Sequence, residues 1–200
     1  MTIAEKLTAV AENEQKVYAA GQKSEYDRFW DAYQGTGEVI VATSMFSGYR
    51  WSDEIYNPKI TIKTNSFASM YQNSQISDTK VPLDFTYGNS TDVFRNASKL
   101  RNIEKIIVDS GNAFSNWFYG CTALEEIRFE GVISKSLDLH WSKKLSMLSL
   151  ASIVAALSDT VTGQTITLPT TAESTYDNAT ISGAWDNLVA TKPNWTFAYA

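Results

Sequence analysis

One cysteine, one histidine and four prolines in 200 residues remove several classes of protein at once. A single thiol, Cys121, cannot form a disulfide within the chain. Cys121 and His140 together fall short of a closed zinc site, which needs four such ligands. The fold is therefore expected to rest on packing, with no metal and no cofactor. Basic excess is also missing: 17 Lys and Arg stand against 22 Asp and Glu, for a net charge of -5. Capture of a nucleic-acid backbone depends on clustered cations, so nucleic acid is not an expected partner. No apolar run has the length of a spanning helix, which argues against membrane insertion. No phosphate-cradling glycine loop or dinucleotide fingerprint occurs.

What the chain has in quantity is aromatic residues: six Trp, ten Tyr and nine Phe. Many of them recur in order. Met45-Phe46-Ser47-Gly48, Met70-Tyr71-Gln72-Asn73, Val93-Phe94-Arg95-Asn96 and Trp117-Phe118-Tyr119-Gly120 each place an aromatic two positions before Gly or Asn, with starts 25, 23 and 24 residues apart. Gly and Asn tolerate a left-handed backbone, so Gly48, Asn73, Asn96 and Gly120 are expected at tight corners, each directly after a buried aromatic: Phe46, Tyr71, Phe94 or Phe118. Alternating segments follow the corners, at 59–62, 81–85, 103–108 and 124–129, and predict strands that bury one face. A unit of about 24 residues with one strand and one corner has the length of a leucine-rich repeat.

The stretch Phe118-Tyr119-Gly120-Cys121-Thr122-Ala123-Leu124-Glu125-Glu126-Ile127 resembles the core of BspA-type leucine-rich repeats. The stretch from Phe94 to Ile103 repeats it, with Ala97 in the cysteine slot. This resemblance implies an α/β repeat fold, a short leucine-rich-repeat solenoid with parallel strands, in which Cys121 packs as a small buried residue.

Three regions are expected. Residues 1–34 form an N-terminal amphipathic helix, opened by a capping box of Thr2 and Glu5 and carrying apolar stripes at Ile3, Leu7, Val10 and Val17 and at Tyr26, Phe29, Trp30 and Tyr33. The stripes pack either on the protein's own body or in a homo-oligomeric stalk. Residues 35–133 hold the BspA-like repeats, and 134–200 an α/β capping region. In the last region Leu137, Leu139 and Trp141 alternate as in a strand, and a helix follows Ser149 as N-cap. A strand at 165–168, a helix over 182–191 stopped by Pro193, and a closing strand through Trp195, Phe197 and Tyr199 complete it. Solenoids need such end caps to shield their last strand.

The most tempting catalytic motif is Asp138-Leu139-His140-Trp141-Ser142. A strand would point Asp138, His140 and Ser142 in parallel, which does not place a base between acid and nucleophile, so no catalytic residue is assigned. Glu125-Glu126 and Asp53-Glu54 are neighbours whose side chains diverge. Tyr49, Trp51, Tyr56 and Tyr87 lie in the variable stretches and form the candidate contact patch, because rigid amphipathic rings suit protein surfaces and sugars.

The succession of an opening helix, aromatic repeats, a helix before T-I-T-L and a closing N-W-T-F strand resembles leucine-rich-repeat proteins encoded with prophage tail or baseplate genes of gut bacteria. That resemblance implies a non-enzymatic structural or receptor-binding tail component, located in the virion or in the cytoplasm before lysis, with a protein or cell-surface glycan as partner. The alternatives are a bacterial surface adhesin for host matrix protein or glycan, which requires an export signal that has been removed, and a glycan-active enzyme. An opening at Met1 that runs straight into amphipathic sequence favours the internal location.

Overall fold

The structure, a computed structural model, describes residues 47, 62–63, 68–79, 82–86 and 90–200, all within the unit Gly37–Ala200. The expected N-terminal helix, most of the first strand segment, the corner at Phe46 and Gly48, and the aromatic patch of Tyr49, Trp51, Tyr56 and Tyr87 lie outside the described residues.

Among the described residues the fold is mixed α/β, with two small parallel sheets and three helices. Strands β1 (Ile62–Lys63), β2 (Pro82–Asp84), β3 (Asn102–Val108) and β4 (Glu126–Gly131) form a sheet in chain order. Each is parallel to the next: Ile62 is opposite Leu83, Leu83 opposite Ile106, and Ile103 opposite Ile127. The second sheet contains β5 (Leu137–Asp138), β6 (Gln164–Leu168) and β7 (Trp195–Tyr199), again parallel and in chain order. Helix α1 (Met147–Ala156) lies between β5 and β6, and α2 (Ala172–Ala179) and α3 (Ala184–Ala190) lie between β6 and β7.

Successive segments are also joined at their corners. Tyr71 N–H donates to the Val93 carbonyl at 2.8 Å and Asn73 N–H to Arg95 at 2.8 Å. One segment later, Phe94 N–H donates to Trp117 at 3.1 Å and Asn96 N–H to Tyr119 at 2.7 Å. This second backbone ladder pairs the corner amides of successive segments, including those of the buried Tyr71 and Phe94. Behind it the rings of Tyr71, Phe94 and Phe118 stack, with centroids 5.4 and 5.7 Å apart and planes within 11° and 12°. Such pairs contribute roughly 0.5–1.5 kcal/mol each beyond the area they bury. Side chains outside the core keep the same spacing, as in Asn96 to Asn73, Asn102 to Asp78, Asn116 to Asp92 and Arg101 to Glu125. Asn73, Asn96 and Gly120 have φ of 57°, 58° and 72°. Four residues earlier, Ser69, Asp92 and Asn116 are also left-handed, at 54°, 56° and 55°, a second corner that was not expected.

The core runs along the inside of the first sheet: Leu83, Ile103, Ile106, Leu124 and Ile127 are fully buried, together with Trp117 and Cys121. Gly131 (φ 99°) crosses so close to β3 that a Cβ there would collide with the Val108 carbonyl.

The capping region differs from expectation in detail. Helix α1 is capped by Ser146, which has an extended backbone and whose Oγ accepts the Ser149 N–H while its carbonyl accepts the Leu150 N–H. Ser149 is inside the helix and faces β4. The alternation of Leu137, Leu139 and Trp141 does not extend one strand, because β5 stops at Asp138 and the chain turns through His140 and Trp141. Helix α2 was not expected at all, since its sequence AESTYDNA buries only Ala172 and shows no apolar stripe.

Three donors near Pro193 fasten the end of the chain to the loop after α1. Lys192 Nζ reaches the Leu157 carbonyl at 2.6 Å and Asp159 at 2.7 Å. Asn194 Nδ2 donates to the Ser158 and Val161 carbonyls, and Trp195 Nε1 to the Ser158 carbonyl.

Candidate functional site

The residues around Asp138 form the most developed surface feature. β5 ends there, in register with Thr167 of β6. The Asp138 carboxylate accepts the His140 backbone N–H at 3.0 Å and lies 2.6 Å from His140 Nδ1, so it fixes the turn and the imidazole together. The His140 ring packs on Trp141 with centroids 5.0 Å apart, and Trp141 packs on Tyr119 at 5.1 Å. The Arg95 guanidinium lies 5.4 Å from the centre of the Tyr119 ring, an attractive cation–π placement. The result is a strip in the order Arg95, Tyr119, Trp141, His140. Tyr119, between Arg95 and Trp141, remains 44% exposed.

Next to the strip is an open cleft of about 450 Å³, lined by Phe114, Asn116, Lys135, Asp138, Thr165 and Thr167 among others. Phe114 is held edge-on by Trp117 and Phe129, with centroids 4.9 and 6.2 Å away, and shows only its edge to the cleft. Asp138 lines the cleft and holds His140 of the strip. Asn116 and Tyr119 open and close one turn, with Tyr119 N–H donating to the Asn116 carbonyl. Strip and cleft therefore adjoin at two points. The open surface thus sets amide, hydroxyl, ammonium and carboxylate groups beside the edge of one apolar ring, next to a strip in which Tyr119 is exposed and Trp141 and His140 are half-buried.

Ser142, the third member of the D-L-H-W-S motif, is fully buried, and its hydroxyl points to the Cys121 carbonyl at 3.3 Å. It is not aligned with the Asp138–His140 pair. Glu125 and Glu126 diverge: Glu125 pairs with Arg101 at 2.8 Å, and Glu126 accepts from Ser146 Oγ at 2.9 Å. The bridge holds the Glu125 carboxyl below its ordinary range and raises Arg101. Cys121 is buried in the core, where desolvation pushes its thiol up to about 12 although the Ala97 backbone partly opposes this; its Sγ donates to the Phe94 carbonyl at 3.1 Å. Such a thiol is not a nucleophile at neutral pH. Among the described residues no three His, Cys, Asp or Glu side chains gather as a metal site, and no helix is long and apolar enough to cross a membrane.

The cleft and strip were not singled out as a contact site from the sequence. Lys135 and Asp138 lie before and in β5, and Thr165 and Thr167 lie in β6, 27 or more residues on, and nothing in their local pattern links them. A signal did exist in Tyr119 and Trp141. Tyr119 occupies the variable slot of its corner, where the ring is not needed for the core.

Comparison of the chain with family models, curated proteins and solved structures finds no match.

Proposed function

We propose that this protein is a non-enzymatic recognition module. In this reading it is a short leucine-rich-repeat solenoid of the BspA kind, closed by an α/β cap, which serves as a structural or receptor-binding part of a (pro)phage tail. The observation that carries the architecture is the repeated corner, with Tyr71, Phe94 and Phe118 stacked and left-handed Asn73, Asn96 and Gly120 spaced by 23 and 24 residues. Stacked units of this kind present a rigid surface with little further ordering on contact, which suits recognition. The tail assignment rests on the sequence resemblance.

The contact surface in this reading is the strip and cleft around Asp138, and its partner is a cell-surface glycan. Sugar rings lay C–H faces on Tyr119 and Trp141, while their hydroxyls meet Asn116, Asp138 and the threonines of β6. Glycoside hydrolysis uses a pair of carboxylates, and Asp138 is the one carboxylate among the described residues that line the cleft, which favours binding over hydrolysis. Mass spectrometry of purified, induced particles tests the tail role. The chain should be present at a fixed ratio to the major tail proteins. Its absence from particles, together with its presence on intact cells, would replace the tail reading by the adhesin.

A further inference from the structure

The two sheets end differently, and the difference bears on assembly. Strand β4 has its outer edge covered by α1 and the loop that follows. Ile127 and Phe129 N–H donate to Ser149 and Ser152 Oγ at 2.9 Å each, Glu125 O receives Ser146 N–H at 2.9 Å, and Ile133 exchanges bonds with Ala156 and Ser158. β7 has no such cover among the described residues. Ala200 N–H donates to the Leu168 carbonyl, and with Ile166 opposite Phe197 this register turns the backbone groups of Thr196, Ala198 and Ala200 toward β6. By the alternation of a strand, those of Trp195, Phe197 and Tyr199 face outward. Trp195 N–H is already used, donating to the Lys192 carbonyl at 3.1 Å, so the outward edge offers the Phe197 and Tyr199 N–H with the Trp195 and Phe197 carbonyls.

That pattern is complementary to itself. We infer that β7 pairs antiparallel with β7 of a second copy about a two-fold axis at Phe197, joining two three-stranded sheets into one of six strands. Phe197 N–H and C=O would exchange bonds with the same groups of the second copy, and each Tyr199 N–H would meet the other copy's Trp195 carbonyl. The Trp195 N–H is already held by the Lys192 carbonyl, so each Tyr199 carbonyl stays open to solvent at the ends of the pairing.

Charge agrees with a second copy as the occupant. A two-fold axis brings like residues near one another, so a charged edge repels itself, and natural edges are guarded by Lys, Pro or bulges. The segment Asn194-Trp195-Thr196-Phe197-Ala198-Tyr199-Ala200 contains no charge, no proline and no glycine. Its inner face is already anchored, with Trp185 Nε1 donating to Tyr199 Oη at 2.8 Å and the Trp185 ring edge-on to Phe197. The strand is therefore held extended before any partner arrives.

Hydrogen exchange read residue by residue on the full chain, over a concentration series with the mass followed by sedimentation, tests this. The Phe197 and Tyr199 amides should exchange freely in dilute solution and become protected as the mass doubles, while Thr196 and Ala198 stay protected throughout. Protection at every concentration would mean that the chain covers its own edge. Doubling without protection would put the interface elsewhere, and free exchange in a persistent monomer would remove it; each of these overturns the inference. The double variant Thr196→Lys with Ala198→Lys sets like charges opposite one another across the axis and should weaken association by roughly tenfold or more. Undiminished association of a folded variant would contradict the pairing. The exchange measurement on the unaltered chain decides the question even if the variant does not fold.

Discussion

The Ser149 hydroxyl of α1 accepts the Ile127 N–H of β4 at 2.9 Å and donates to the Glu125 carbonyl at 3.0 Å. One side chain thus supplies the acceptor and donor that a neighbouring strand would have offered. Ser152, one turn later, accepts the Phe129 N–H. The helix consequently terminates a sheet without leaving its edge amides bare. Removal of the buried Ser149 hydroxyl leaves a buried donor unpaired and should cost about 1–3 kcal/mol. Ser152 is more accessible, and Ser152→Ala should cost less. Urea unfolding of both variants against the parent measures the difference, and equal, negligible losses would show that packing alone holds α1.

The corner at Asn96 has φ of 58°, which a β-branched residue does not tolerate. Asn96→Val should lose roughly 1–2 kcal/mol or more through the backbone. Asn96→Gly keeps the conformation, forfeits the exposed bond to Asn73 at 3.2 Å and frees the unfolded chain slightly, so it should lose less than Asn96→Val. Thermal melts of the pair separate backbone strain from side-chain contact. Equal losses in the two variants would place the cost in the lost amide instead.

Cys121 gives a pH signature. Its thiol is pushed up to about 12 in the folded chain, against an ordinary value of 9.0. Above that ordinary value the unfolded chain gains by releasing the proton and the folded chain does not. The contribution is therefore intact below about pH 9 and is lost as pH rises toward 12, by up to roughly 1.4 kcal/mol per pH unit. Cys121→Ala removes this slope at the cost of a small cavity, so the stability gap between parent and variant should narrow at alkaline pH. A gap constant from pH 7 to 11 would mean that the thiol is not held protonated. At pH 7 the native thiol should react with a disulfide reagent only as fast as the protein opens.

How much of this was legible depends on the range of the forces involved. The corners at Asn73, Asn96 and Gly120 are local: a left-handed backbone selects Asn or Gly, and an aromatic two residues before sits in every unit. The second corner at Ser69, Asp92 and Asn116 was legible in principle, as a small polar residue immediately before the apolar one, yet Ser, Asp and Asn are ordinary in loops and give no distinct signal. Helix α2 is polar and gains its place from the elements around it, so no stripe announces it. Ser149 looked like an N-cap because serine in an apolar helix commonly is one; its bond to Ile127, 22 residues back, is a tertiary relationship. The cleft is less legible still, since Asn116, Asp138 and Thr167 meet only after two sheets have formed. The aromatic patch expected at Tyr49, Trp51, Tyr56 and Tyr87 lies outside the described residues.

Recognition through the surface at Asp138 is the central claim, and it is tested most directly by binding of the full chain to an array of bacterial cell-surface glycans, followed by titration of the best binder. Trp141→Ala removes the ring shared by Tyr119 and His140, and Asp138→Asn keeps the shape of the cleft while removing its charge. Stacking of one sugar on an aromatic ring is worth about 0.5–1.5 kcal/mol by analogy with ring pairs, so Trp141→Ala should weaken binding by about threefold to tenfold or more with the fold intact. Asp138→Asn should also weaken it. A glycan bound with the same affinity by the parent and both variants would contradict the account, as would an array on which the parent binds nothing.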